Sequence, residues 1–209
     1  MSSTTIRHVI LASTSPRRRE LLASLNIGFD IVPSHADENT PNDWSPAQIV
    51  TELAKRKAEA VYHSLDSSGR SSSQGSIIIG SDTIVVRDGE VLGKPKNEAE
   101  AASMIASLQG RSHTVYTGVA CMDSATGELL VDFRSTEVTM RSLTSEEVLA
   151  YARTGEGLDK AGAYAIQGFG ATLVTGIQGC YFNVVGLPLS LLAEMLGHFG
   201  IQVLDAPQK

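Results

Sequence analysis

The spacing of apolar residues changes between strand-like and helix-like along the chain, and the order of these segments is the sequence feature that most constrains the fold. Strand-like runs and segments with helical spacing follow one another without regular alternation, and no internal repeat is visible. The turn signals Asp88-Gly89 and Ala125-Thr126-Gly127 each lie between two strand-like runs and favour hairpins. This order predicts an α/β protein with a mixed β-sheet flanked by helices, and it disfavours a regularly alternating dinucleotide-binding domain.

The same spacing predicts the individual elements. Strands are expected over residues 7–12, 29–32, 171–175 and 181–184, and helices over 16–25, 45–64, 97–108, 142–153 and 188–198. Residues 64–75 are polar and of low complexity, so we expect a flexible surface loop there. Gly80 interrupts the apolar run before the first hairpin, and we expect it to break that strand.

Composition and charge exclude several classes of protein. The 209 residues include 17 basic and 23 acidic side chains, and a net charge of −6 is wrong for non-specific binding to a nucleic acid polymer. Cys121 and Cys180 suit neither a disulfide framework nor a zinc site, and the start lacks a signal-peptide pattern, so we expect a cytoplasmic protein. Glycines interrupt the uncharged stretch 161–193, so we expect no membrane span.

Three arginines, Arg17, Arg18 and Arg19, occupy the predicted first turn of a helix. Cations oppose the helix dipole at that end unless an anion is bound there, so their position favours a phosphate ligand. Pro16 suits a first helical turn, and we expect the hydroxyl-rich loop 13–15 to direct its backbone amides toward one point. The alternative is a solvated basic turn.

Two further segments contain candidate site residues. Asp82 lies at the start of an apolar run, where a carboxylate beside phosphates is typical of a magnesium ligand, and Lys94 follows the hairpin. The alternative for Asp82 is a cap on a turn at Gly80. The glycine-rich segment 158–168 would let its backbone approach a flat ligand, with the amide of Gln167 presented to it. Alternatively, Gln167 ties down its own loop.

Six motifs occur in a distinctive order: ILASTSPRRRELL, ADEN, LAKRKA, GSDTIV, LGKPKN and LDKAGAYAIQG. In this order and spacing they resemble the Maf family of nucleotide pyrophosphatases, also called septum-formation-inhibitor-like proteins. The resemblance implies one domain over residues 1–209 with a Maf/Ham1-like fold, in which an elongated mixed sheet and two lobes surround a central substrate cleft. It also implies a homodimer.

The resemblance assigns roles to the residues at the matching positions. Those that would bind the triphosphate are Ser13, Arg17, Arg18, Lys57 and Lys94. Glu38 and Asp82 would hold a divalent metal and activate water, with Mg²⁺ preferred and Mn²⁺ or Co²⁺ as alternatives. In the branch that acts on dTTP and UTP, base selection is associated with the positions of Arg17, Thr83 and Gln167.

The expected function is hydrolysis of dTTP and UTP to the monophosphate and pyrophosphate, as house-cleaning of the nucleotide pool. Attack at the α-phosphorus is implied by the family rather than by the residues. Two alternatives are a nucleotide-binding regulator of cell division without turnover, and a pyrophosphatase for modified or methylated nucleotides. A regulator that only binds a nucleotide needs cations, but it does not need carboxylates that hold a metal ion and a water molecule. The sequence leaves open whether Glu38 or Asp82 is the base.

Overall fold

A computed structural model describes residues 7–68 and 75–205, which form a seven-stranded sheet and six α-helices. The strands are β1 (His8–Leu11), β2 (Phe29–Ile31), β3 (Ser76–Arg87), β4 (Glu90–Leu92), β5 (Ser112–Asp123), β6 (Leu129–Met140) and β7 (Val174–Gln178). The helices are α1 (Pro16–Ala23), α2 (Pro46–Ser68), α3 (Glu98–Leu108), α4 (Ser145–Arg153), α5 (Tyr181–Val185) and α6 (Leu189–His198). Short 3₁₀ turns lie at Ala161–Ala163, Gly168–Thr172 and Val203–Asp205.

The sheet contains both parallel and antiparallel pairs. Its strands lie in the order β2-β1-β3-β5-β6-β7, and β4 pairs with β3 beside this path. β1 runs parallel to β2 and to β3, with Val9 opposite Phe29 on one side and Ile77 on the other. β4 is antiparallel to β3, and β7 is antiparallel to β6. The predicted α/β class with a mixed sheet is therefore confirmed.

The chain divides into two compact units. The first contains Met1–Asp82, Gly118–Phe133 and Gly186–Lys209, and the second contains Thr83–Thr117 and Arg134–Val185. A cluster of buried side chains that includes Ile10, Ala54, Ile78 and Met122 forms a core in the first unit. A second cluster, with Val85, Ile105, Met140 and Tyr164, forms a core in the other. The single domain and the central cleft stay predictions.

Local signals placed several elements correctly. Ser15 caps α1, and its side chain accepts a hydrogen bond from the Arg18 amide, while Asn97 caps α3 in the same way. Asp88 and Gly89 have φ values of 51° and 82°, the left-handed conformation that a tight hairpin requires. Capping and turn chemistry act over a few residues, which explains why the sequence alone predicts them.

Two predictions along the second helix and the following strand are wrong. α2 extends to Ser68, so the first part of the expected loop 64–75 is helical, and residues 69–74 lie outside the described residues. β3 runs through Gly80 without a break. A Cβ at Gly80 would overlap the carbonyl oxygen of Ala54 and come within 2.9 Å of the Ala58 nitrogen. The glycine therefore serves close packing of α2 against the strand rather than a turn.

The expected strands near residues 171–175 and 181–184 are also only partly correct. The first, β7, begins at Val174, and the residues before it form a 3₁₀ turn. In place of the second expected strand, the structure has the short helix α5. Within this helix, the Asn183 side-chain amide donates to Val115 O and Thr136 Oγ1, both at 2.9 Å. These tertiary contacts override the strand preference of aromatic and β-branched residues.

The uncharged stretch 161–193 contains 3₁₀ turns, β7, α5 and the start of α6. Within residues 7–68 and 75–205, none of the helices combines the length and the apolarity that crossing a bilayer requires.

We predict that Gly80→Ala lowers the free energy of unfolding by about 1–3 kcal/mol, the usual cost of overpacking. The added methyl group would push α2 away from β3 at Ala54. Urea unfolding measures the effect. The control is Gly176→Ala in β7, where nothing lies within 4 Å of the added carbon, so little change is expected. Equal stability of the two variants would contradict the close-packing role of Gly80.

Candidate active site

The loop between β1 and α1 contains Ser13, which is buried, with 8% of its surface exposed. Ser13 Oγ accepts a hydrogen bond from the Ser15 amide at 3.2 Å, and Ser15 Oγ caps the helix. The expectation that loop 13–15 directs its backbone amides toward one point is thus wrong for Ser15, whose amide is used within the loop. Because Ser13 Oγ accepts this bond, it keeps its own proton to donate to an anion.

Arg18 in the first turn of α1 is held by a contact that the sequence did not signal. Its Nε donates to the carbonyl oxygen of Gly186 at 2.8 Å. The same oxygen accepts a hydrogen bond from Ser81 Oγ at 3.1 Å, and Ser81 is fully buried. Gly186 lies 168 residues after Arg18, so no spacing rule relates the two. The shared carbonyl fixes the plane of the guanidinium.

The electrostatic environment of Arg18 includes three other predicted site residues. Burial lowers the pKa of Arg18 below its ordinary value, since it penalises the charged form. The carboxylate of Asp82 acts in the opposite direction, Arg17 lowers the pKa further, and Glu38 raises it. Arg17, Arg18, Glu38 and Asp82 therefore share one electrostatic environment, in which an added anion would stabilise the buried guanidinium.

Lys57 on α2 bridges the two predicted carboxylates. Its Nζ lies 2.6 Å from Asp82 Oδ1 and 2.8 Å from Glu38 Oε1. The side chains of Lys57 and Asp82 are each 12% exposed, whereas that of Glu38 is 62% exposed. Asp82 lies within β3 rather than at a turn, so the alternative of a cap at Gly80 is excluded. One ammonium group thus compensates two carboxylates.

The loop that carries Glu38 is anchored by a residue outside the predicted set. Arg56, the neighbour of Lys57 on α2, donates from Nη1 to the backbone oxygens of Asp37 at 3.2 Å and Asn39 at 2.7 Å. Its Nε donates to Glu52 Oε1 at 3.0 Å. The guanidinium therefore holds the backbone on both sides of Glu38. Its place in the LAKRKA motif was the only signal for it.

Glu38 and Asp82 offer carboxylate oxygens, the ligands that Mg²⁺ and similar hard cations prefer. Among the residues that the structure describes, no group of three or more histidine, cysteine, aspartate or glutamate side chains could hold a metal. Two carboxylates fit a cation that completes its coordination with phosphate oxygens and water, which is the usual arrangement for Mg²⁺ in phosphoryl enzymes. The pair is thus compatible with a substrate-linked cation and not with a dedicated protein cage.

Thr83 belongs to the second unit, and its hydroxyl has a defined direction. Thr117 Oγ1 donates to the carbonyl oxygen of Asn183 at 2.8 Å, which uses its only proton. Thr83 Oγ1 lies 2.9 Å from Thr117 Oγ1 and must therefore be the donor of that bond. The Thr83 oxygen consequently faces any further partner as an acceptor.

Lys94 and Gln167 also belong to the second unit. Lys94 is exposed in the turn after β4, where Gly93 O accepts a hydrogen bond from the Gly162 amide at 3.1 Å. Gln167 is half-buried and precedes the 3₁₀ turn Gly168–Thr172, which its side chain does not cap. The alternative role of Gln167 in holding this turn is therefore not supported, and another side chain, Glu156, bonds to the turn's amides.

We predict that Lys57→Met destabilises the fold by up to about 3–5 kcal/mol at neutral pH, because it removes the ammonium group that is ion-paired with the buried Asp82 carboxylate. Adding Asp82→Asn to this variant should recover part of the loss, as a double-mutant cycle of unfolding free energies would measure. The control is Lys55→Met on the same helix, whose exposed 3.8 Å pair with Glu59 contributes about 0–1 kcal/mol. Additive effects at Lys57 and Asp82 would contradict the coupling.

Comparison with known proteins identifies the family. A model of the family described as Maf-like protein matches residues 8–199. A protein of Pelotomaculum thermopropionicum named dTTP/UTP pyrophosphatase is 48% identical over 199 residues, covering 95% of this chain and 100% of the relative. A protein of the same name from Moorella thermoacetica is 51% identical over 195 residues, covering 93% and 96%.

Among solved structures, the Ham1 protein of Staphylococcus aureus is similar over 80% of each chain, with 14% sequence identity and a TM-score of 0.47. The family match extends over almost all of the described chain, and two relatives are about half identical over at least 96% of their own length. The resemblance that the six motifs indicated is therefore confirmed, and the chain belongs to the Maf family.

Proposed function

We propose that this chain hydrolyses dTTP and UTP to the nucleoside monophosphate and pyrophosphate. The observation that carries the proposal is the ammonium of Lys57 between Glu38 and Asp82, in the same unit as Arg17 and Arg18. Cations beside carboxylates provide a binding surface for phosphates and a group that can take a proton from water. The enzyme class agrees with the names of relatives that are 43% to 51% identical to this chain.

The cations bind the triphosphate in this proposal. The residues assigned to this role are Ser13, Arg17, Arg18, Lys57 and Lys94, of which the serine contributes a hydroxyl donor and the other four contribute positive charge. Each charge-assisted hydrogen bond to a phosphate oxygen contributes about 1.5–3 kcal/mol. A bound phosphate would stabilise the charge of Arg18, which burial penalises in the free protein. Its bond to Gly186 O presets the orientation of the guanidinium, so less freedom is lost on binding.

Glu38 and Asp82 would hold a divalent cation together with the phosphates, and Mg²⁺ is the first choice before Mn²⁺ or Co²⁺. When bound, such a cation supplies charge neutralisation on the phosphates and makes a nearby water more acidic. Arg56 keeps the Glu38 backbone in place. Lys57 compensates both carboxylates in the free protein.

Asp82 is our choice for the base. Its carboxylate is 12% exposed and Oδ1 is bonded to Lys57, whereas the Glu38 side chain is 62% exposed. Oδ2 of Asp82 would take a proton from a water whose oxygen attacks the α-phosphorus. As the new bond to oxygen forms, the bond from the α-phosphorus to the bridging oxygen breaks and pyrophosphate leaves. The negative charge on the leaving group is met by the cations that bind the phosphates.

Base selection is assigned to Arg17, Thr83 and Gln167. The Gln167 amide can donate to O4 and accept from N3–H, which matches the edge shared by uracil and thymine. The Thr83 oxygen is an acceptor toward any partner besides Thr117, so it also favours a base that presents a donor. Arg17 lies in the phosphate-binding turn of α1, from which it would contribute to both functions.

The proposal extends to the organisation, location and partners of the chain. The chain would work as one domain over residues 1–209, as a homodimer, in the cytoplasm, and without a nucleic acid polymer or a membrane as partner. The net charge of −6 supports the proposal that a nucleic acid polymer is not a partner. Light scattering of the purified protein tests the homodimer.

Incubation of the protein with dTTP and Mg²⁺ tests the reaction, with pyrophosphate and the monophosphate as the expected products. Binding of dTTP without release of pyrophosphate would instead support the regulator without turnover, which the names of the relatives do not favour. A panel of modified and methylated nucleotides, compared by kcat/KM, tests the house-cleaning role and its alternative substrates.

We predict that Asp82→Asn lowers kcat by at least roughly 100-fold, the usual scale for loss of a general base. The amide cannot take the proton and is a weaker metal ligand. Steady-state kinetics at saturating Mg²⁺ measure the effect. Asp30→Asn in β2, whose side chain is 72% exposed, is the matched control and should keep normal turnover. Near-normal kcat of the Asp82 variant would remove Asp82 from the mechanism.

We predict that Gln167→Glu lowers kcat/KM for dTTP and UTP by roughly 10- to 200-fold, because a carboxylate would face O4 with a second acceptor. Guanine presents N1–H and N2–H₂ as donors, so the ratio of GTP to UTP activity should rise. Gln178→Glu, at an exposed position of β7, is the control. An equal loss on all nucleotides with a lower Tm would show that Gln167 supports the fold rather than reading the base.

A further inference from the structure

The backbone on both sides of Gln167 is held by two side chains that no motif assigned to the site. Two residues before Gln167, the Ala165 amide donates to Tyr151 Oη at 3.1 Å. Two residues after it, the Phe169 amide donates to Glu156 Oε1 at 3.0 Å. All of these residues belong to the second unit. The segment that carries the base-reading amide is therefore anchored at both ends.

Glu156 is the centre of this arrangement. It lies in the turn after α4, and its Oε2 accepts hydrogen bonds from the Gly170 amide at 2.8 Å and from Tyr151 Oη at 2.9 Å. With the bond from Phe169, its two oxygens accept three hydrogen bonds. A carboxylate can accept at both oxygens, whereas a side-chain amide of the same shape can accept at only one. The chemistry of the position thus demands a carboxylate.

Tyr151 extends the arrangement to the N-terminal side of Gln167. Burial raises the pKa of Tyr151 above its ordinary value, and the hydrogen bond to Glu156 raises it further. The phenol therefore stays protonated, donates to Glu156 and accepts from Ala165 with its free lone pair. One phenol and one carboxylate thus form a continuous chain of hydrogen bonds across the segment.

Gly168 and Gly170 are required by this packing. A Cβ at Gly168 would overlap Glu156 Oε1, and φ of Gly168 is 60°, a conformation that side chains rarely adopt. A Cβ at Gly170 would overlap Ala165 O and come within 2.9 Å of Tyr151 Oη. The backbone can fold onto the carboxylate only where these side chains are missing.

Lys160 fixes the position of Glu156 itself. Its Nζ donates to the backbone oxygen of Glu156 and to Asp159 Oδ1, the latter at 2.6 Å. The side chain of Lys160 is 14% exposed. The charged pair at the start of the LDKAGAYAIQG motif therefore serves the turn from which the Glu156 carboxylate projects.

We propose that Glu156 is a positioning residue for base selection. It holds the Gln167 side-chain amide in the position from which this amide can bond to the edge of a pyrimidine base. The inference rests on the proposed function, because Gln167, the residue that Glu156 would position, is proposed there to contact the base. Glu156 acts through the amides of Phe169 and Gly170 and does not itself contact the nucleotide.

Glu156→Gln tests the proposal, with Glu98→Gln as the matched control. Glu98 lies in the same unit, and its side chain is 57% exposed beside Arg153 at 3.9 Å. We expect Glu156→Gln to lower kcat/KM for UTP relative to GTP by roughly 10-fold, the effect of one lost hydrogen bond. Glu98→Gln should leave the ratio unchanged. An unchanged ratio in Glu156→Gln, with an equal loss on both nucleotides, would overturn the proposal.

A double variant separates positioning from a general loss of structure. In a Gln167→Ala background, Glu156→Gln should have no further effect on the ratio of UTP to GTP activity, because the amide that it positions is gone. A second, additive change in the ratio would contradict action through Gln167. Tyr151→Phe, which removes the donor to Glu156, should shift the ratio in the same direction as Glu156→Gln.

Amide hydrogen exchange distinguishes a failure of this inference from a failure of the proposed function, since it requires no nucleotide. At least one of the Phe169 and Gly170 amides, the one that loses its acceptor, should exchange at least roughly 10-fold faster in Glu156→Gln than in the wild type. Unchanged exchange would overturn the role of Glu156 whatever the substrate. Faster exchange in a protein that releases no pyrophosphate from any nucleotide would instead refute the proposed function and leave the anchoring of the segment established.

Discussion

The bridge from the Lys57 ammonium to the carboxylates of Asp82 and Glu38 is the interaction on which the candidate site depends. It requires α2 to lie very close to the sheet, and two glycines make this approach feasible. A Cβ at Gly80 would overlap Ala54 O, and a Cβ at Gly118 would overlap Val50 O. Ala54 is one helical turn before Lys57, so the close packing at Gly80 directs the ammonium toward β3.

The loops that carry Glu38 and Gln167 are each held by a charged side chain bonded to the backbone. Arg56 donates to the carbonyl groups on either side of Glu38, and Glu156 accepts from the amides that follow Gln167. A charged group bonded to backbone restricts a loop without occupying the side chain that the loop presents. The arrangement leaves the presented carboxylate and amide available for a ligand while limiting their positions.

The elements that the sequence predicted correctly are those with strong local signals. Ser15 and Asn97 cap helices, and the turn Asp88-Gly89 forms a hairpin. The wrong predictions concern positions at which a distant contact overrides a local preference. Gly80 was expected to break a strand, but it lies inside β3, where the missing side chain lets α2 pack closely on the strand. Tyr181–Val185 was expected to be a strand, but it is helical, and Asn183 within it bonds to neighbouring strands.

The sequence by itself determined the class of fold and the family and supplied the candidate site residues, because periodicity, capping and motif order are properties of the chain. Only the tertiary structure decided which groups meet. Lys57 and Asp82 are 25 residues apart, and Arg18 and Gly186 are 168 apart. Glu156 is 13 residues from the Phe169 amide. No local rule encodes such pairs, because they depend on how helices and loops pack on the sheet once the chain has folded.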